Sequence, residues 1–107
     1  MAKITGHDED CLYFDDDMYI QAIHCPDCCE WNYADWDNLD TEALDYNFDT
    51  SKLKFEKAYG GFRFGDSPNR MFYVPCYSEQ NGYYSSDLQL YYDGTNVLNC
   101  ICEVVDG

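Results

Sequence analysis

Residues 88–105 read Leu88-Gln89-Leu90-Tyr91-Tyr92-Asp93-Gly94-Thr95-Asn96-Val97-Leu98-Asn99-Cys100-Ile101-Cys102-Glu103-Val104-Val105. Leu88, Leu90 and Tyr92 recur with the two-residue period of a half-buried strand. Asp93-Gly94-Thr95-Asn96 then reverses the chain, because Asp-Gly is a favoured two-residue hairpin turn. The return strand, Val97 to Val105, sets Leu98, Cys100, Cys102 and Val104 on one face. Two strands joined this way make an antiparallel pair, and the rest of the chain is read outward from it.

Upstream, the same signals repeat. Lys52-Leu53-Lys54-Phe55-Glu56 alternates polar and apolar residues. Gly60-Gly61 breaks the run and Phe62-Arg63-Phe64 resumes it. Asp66-Ser67-Pro68-Asn69 is a turn cluster. Arg70 to Tyr77 is apolar and aromatic, with Pro75 suggesting an edge or a strand end. Ser78 to Gly82 reads as another turn. In the first half, Tyr19 to Ile23 reads as a short strand. Asn38 to Phe48 reads as a short helix, with Leu39, Ala43 and Tyr46 near helical spacing and Asp37, Asn38 or Asp40 as N-cap. The expected fold is therefore α+β: a four- to five-stranded antiparallel sheet in meander order, with an N-terminal zinc-stapled segment and one short helix. Residues 1–107 are expected to form a single domain, with 1–50 as its acidic zinc-binding half and 51–107 as its sheet half.

Charge separates those halves. The 107 residues carry a formal net charge of −15. Residues 1–50 account for −13 of it and residues 51–107 for −2. Charge of this sign opposes binding to DNA, RNA or anionic lipid, since each phosphate contact calls for a cation. The 18% aromatic content argues against a disordered acidic tail. No apolar run approaches the ~18 residues of a membrane span, and the polar, acidic start, Met1 to Asp10, is unlike a signal peptide.

The cysteines carry the sharpest chemical signal. Cys25-Pro26-Asp27-Cys28 has the form of a metal knuckle, in which two thiolates share one cation. Upstream, His7 and Cys11 stand four apart. Together, His7, Cys11, Cys25 and Cys28 match a closed, structural zinc site in ligand type and spacing. A zinc would supply folding free energy to a segment crowded with Asp8-Glu9-Asp10 and Asp15-Asp16-Asp17. His24, Cys29, Cys100 and Cys102 are competing ligands, and Cys76, Cys100 and Cys102 also read as small buried hydrophobes. Four protein ligands leave no open position for catalysis. No nucleophile elbow, phosphate loop or dinucleotide fingerprint is present. A non-enzymatic protein is expected.

The acids are interleaved with aromatic residues. Asp8, Glu9, Asp10, Asp15, Asp16, Asp17, Asp35, Asp37 and Asp40 supply charge for steering and register, while Trp31 and Trp36 supply anchor area. That combination points to a basic protein partner, one that itself handles nucleic acid. The alternative is that the rings simply fill the core of a small domain.

In character, across its whole length, the chain resembles phage-encoded anti-CRISPR proteins and DNA mimics. In motif the resemblance is carried by His7, Cys11, Cys25 and Cys28, and it is similar to a zinc-binding inhibitor of a type II RNA-guided nuclease. The resemblance implies a stoichiometric inhibitor, acting in the cytoplasm of an infected bacterial host; a monomer is expected. It would occupy a positively charged surface of the effector and block loading of target DNA. The alternative is an acidic zinc-binding adaptor that recognises a basic protein or peptide.

Overall fold

The computed structural model describes residues 1–24, 31–80 and 85–105. Among them strands predominate, arranged in two sheets, with only short 3-10 turns beside them. The N-terminal segment forms β1 (Ile4–His7), β2 (Cys11–Phe14) and β3 (Tyr19–Ile23), and then β4 (Trp31–Ala34). The rest forms β5 (Lys54–Ala58), β6 (Gly61–Gly65), β7 (Phe72–Glu79), β8 (Asp87–Tyr92), β9 (Thr95–Ile101) and β10 (Glu103–Val105).

The first sheet has the order β1-β2-β3-β8-β9, antiparallel throughout. Its β8–β9 hairpin is the one expected from sequence. Asp93 and Gly94 both take left-handed backbone, at φ 53° and 75°, as a tight two-residue hairpin turn requires. The second sheet runs β10-β7-β6-β5, with β4 also paired to β7. Its pairs are antiparallel except β10 with β7. The two sequence halves interleave: β3 pairs with β8, and β4 pairs with β7.

Several expectations are corrected. Among the described residues, ten strands stand where four or five were expected, and β1, β2 and β4 come from the segment read as a metal loop. Strand order is not a simple meander. The helix expected at Asn38 to Phe48 is replaced by short 3-10 turns at Trp36–Asn38 and Thr41–Asp45. Leu39 and Asp40 between them are extended, and the Asp40 N–H bonds the Tyr73 carbonyl of β7. The Asp40 side chain accepts from Glu42 N–H, a local bond that competes with helix propagation. Ser78 and Glu79, read as a turn, end β7, and Ser78 is fully buried. The last strand divides at Cys102. Its N–H bonds the Ser86 carbonyl, and beyond it the chain joins the other sheet as β10. The apolar stripe therefore ends at Cys102, and Val104 is exposed.

The core lies between the sheets. Phe48 sits fully buried among the rings of Phe14, Tyr46, Phe64 and Phe72, with centroids 4.7–5.5 Å away. Leu12 and Ile20 enter from the N-terminal strands, Val74 from β7, and Leu88 and Leu90 from β8. Each such side chain contributes roughly 1.5–3 kcal/mol on burial. Cys76, Cys100 and Cys102 are buried free thiols of this core.

Candidate acidic groove

The β1–β2 hairpin and the segment after β4 meet at one end of the molecule. The hairpin turn is held by Asp8. Its Oδ1 accepts the backbone N–H groups of Asp10 (3.0 Å) and Cys11 (2.8 Å), and its Oδ2 accepts the Tyr13 hydroxyl at 2.6 Å. The Tyr13 hydroxyl, and then these amides, hold the Asp8 carboxyl below its ordinary value. Asp8 also raises the Tyr13 phenol. His7, at the end of β1, places Nε2 3.0 Å from Asp37 Oδ1. That contact ties the hairpin to the turn that follows β4.

Between them lies a groove of about 240 Å³. His7, Asp8 and Glu9 form one bank, and Asp35 and Asp37 form the other. Trp31, Tyr33 and Trp36 supply the aromatic surface. The Trp31 and Tyr33 rings lie 4.4 Å apart at 32°, and Tyr33 continues to Tyr77 of β7 at 6.0 Å. Trp31 is 53% exposed, whereas Trp36 is 5% exposed and packs edge-on to Phe62. Burial raises the Tyr33 phenol, and the charges of Glu79 and Asp35 raise it further. Negative field is thus concentrated over an aromatic platform.

The groove gathers six of the expected partner residues: Asp8, Glu9, Trp31, Asp35, Trp36 and Asp37. Trp36 belongs to its floor and to the core. Asp10 and Asp40 are not among its lining residues. Asp15, Asp16 and Asp17 lie at the far end of β2, in the turn to β3. Asp16 there accepts Met18 N–H and the Thr50 hydroxyl, and Asp17 takes left-handed backbone at φ 70°. Those bonds make Asp16 a turn-former, a role beyond the steering charge expected of it. Tyr33, one of the aromatic residues interleaved with the acids but not expected as a partner contact, also lines the groove.

Of the expected zinc ligands, Cys25 and Cys28 lie outside the described residues, as does Cys29. The structure does not bring His7 and Cys11 together. His7 pairs with Leu12 across the hairpin, so Cys11 falls on the opposite face by strand alternation. Burial raises the Cys11 thiol, while the His7 ring engages Asp37. No group of three or more metal-ligating side chains is assembled among the described residues. No helix among them is long and apolar enough to cross a membrane.

No family model, no curated protein and no solved structure matches this chain.

Proposed function

We propose that this protein is a non-enzymatic, stoichiometric inhibitor of a bacterial nucleic-acid-binding defence nuclease, of the type II RNA-guided class. It binds a basic surface of that effector and keeps target DNA from loading. The observation that carries the reading is the groove. Carboxylates from two separated segments of sequence stand on its banks, around an exposed Trp31 platform. Acidic banks favour a cationic partner and raise its encounter rate, and an exposed indole supplies anchor area. Type II effectors hold their guide–target duplex in a positively charged channel, which is complementary in sign.

A structural zinc, stapling the N-terminal segment, belongs to the same proposal. It rests on the Cys25-Pro26-Asp27-Cys28 spacing, with one of His7 and Cys11 at most joining it, since the two fall on opposite faces of the β1–β2 hairpin. Metal analysis of the purified protein tests it: about one zinc per chain is expected from a closed four-ligand site, and a metal-free, folded protein would remove it.

The functional test is order of addition. Protein mixed with a guide-loaded effector before target DNA should abolish the DNA gel shift. Protein added after DNA should act more weakly. No effect at large excess in either order overturns the inhibitor reading.

A further inference from the structure

We propose that the groove is a receptor for one arginine side chain of the partner protein. This inference rests on the reading above that the partner is basic, and it names what that partner presents.

The size of the groove comes first. About 240 Å³ is below the range of cofactor and small-molecule pockets, and it suits a single long side chain. The platform chooses which one. Trp31 is 53% exposed and lies tilted against Tyr33, so much of its indole surface is open to a planar cation. A guanidinium is weakly hydrated and stacks flat on such a ring, whereas an ammonium is a compact, strongly hydrated charge. The banks supply the counter-charge. Asp8 is committed to Tyr13 and two amides, so it shapes the groove. Asp37 meets His7 through Oδ1, and Asp35 accepts the Asn38 amide through Oδ2. With Glu9 on the facing bank, Asp35 and Asp37 are the acids placed to receive a guanidinium fork.

Trp36 completes the floor of the groove, with its indole N–H sealed from solvent. The occupant is not a second copy. The chain's only arginines are Arg63 and Arg70. Arg63 is paired to Glu56 at 2.9 Å, and Arg70 lies over the Tyr46 ring at 5.2 Å.

Both tryptophans of the chain, Trp31 and Trp36, line the groove, so intrinsic fluorescence reads it directly. The probe is the capped peptide Gly-Gly-Arg-Gly-Gly, titrated at about 0.15 M salt to suppress long-range attraction. Lysine and citrulline versions serve as comparisons. The arginine peptide should give a saturable emission change. The lysine peptide should bind about tenfold more weakly, the scale of one well-formed cation–π contact, and the citrulline peptide should not bind detectably. Trp31→Ala and Asp37→Asn alter exposed side chains, so both variants should fold and both should lose affinity. Equal binding of arginine and lysine overturns the proposal, as does an affinity untouched by Trp31→Ala. Absence of any binding also overturns it. The effector assay separates the two readings. Inhibition that survives in Trp31→Ala removes the arginine receptor and leaves the inhibitor. Arginine-selective peptide binding without inhibition of an effector does the reverse.

Discussion

The Asn32 carboxamide of β4 reaches across to the opposing sheet and donates to the Asp87 carbonyl of β8 at 2.8 Å. The same NH2 group donates to the Ser85 carbonyl at 3.0 Å. The Asn32 Oδ1 accepts the buried Ser78 hydroxyl of β7, and Gln80 adds its own amide to Ser78 and Ser85. A satisfied polar network therefore fastens β4 to both sheets. Trp31 and Tyr33, the groove platform, flank Asn32 on that strand.

Asn32→Ala should destabilise the fold by about 2–3 kcal/mol, because it leaves several buried polar groups without partners. Urea denaturation measures it. A change under about 0.5 kcal/mol, the size of an ordinary surface substitution, would show that water replaces the network.

Gly61 and Gly65 should tolerate no side chain. A Cβ on Gly61 would lie 2.1 Å from the Val74 carbonyl oxygen, and one on Gly65 would lie 2.1 Å from that of Arg70. Backbone must move to admit either, so Gly61→Ala should cost about 1–3 kcal/mol or more, as other overpacked sites do. Thermal melting of Gly61→Ala beside Gly6→Ala, where nothing lies within 4 Å, checks it. Equal melting temperatures would argue against the close β6–β7 approach.

Stability should fall in acid through three hydroxyl-bonded carboxylates. The hydroxyls of Tyr13, Thr50 and Ser51 are the chief groups holding Asp8, Asp16 and Asp49 below their ordinary values. A folded value below the unfolded one contributes stability above pH ~4, lost as pH falls through the folded value. Melting temperature against pH should therefore drop below about pH 4. Tyr13→Phe removes the main partner of Asp8, so it should flatten that acid-side slope. An unaltered slope would detach Asp8 from the effect.

Charge reversal should discriminate between the two ends of the β2 hairpins. Asp35→Lys with Asp37→Lys should weaken partner binding strongly while the fold persists, because Asp37 is 82% exposed. Asp15→Lys with Asp17→Lys lies at the other end and should weaken it less, mainly through long-range attraction. Affinities measured at low and at moderate salt separate the two effects. A larger loss from the Asp15 and Asp17 pair would move the interface away from the groove.

The amino-acid pattern alone specified the sheet-rich character of the second half. Residues 88–101 are legible because a period of two and an Asp-Gly turn are local signals, and local backbone preference satisfies both. It also determined the pairing of acids with aromatics, since composition does not depend on folding. The rest depended on contacts between segments distant in the chain. Leu39, Ala43 and Tyr46 have helical spacing, yet Asp40 is bonded to Tyr73 and the chain there is held in short turns. β1 and β4 are four residues long, too short to announce themselves among carboxylates. Their strand character comes from partners distant in sequence. His7 and Cys11 are close in sequence but fall on opposite faces of a hairpin. His7 and Asp37 are thirty residues apart but in contact. Spacing reports a shared site only when the local geometry is known, and here strand pairing across the chain set that geometry.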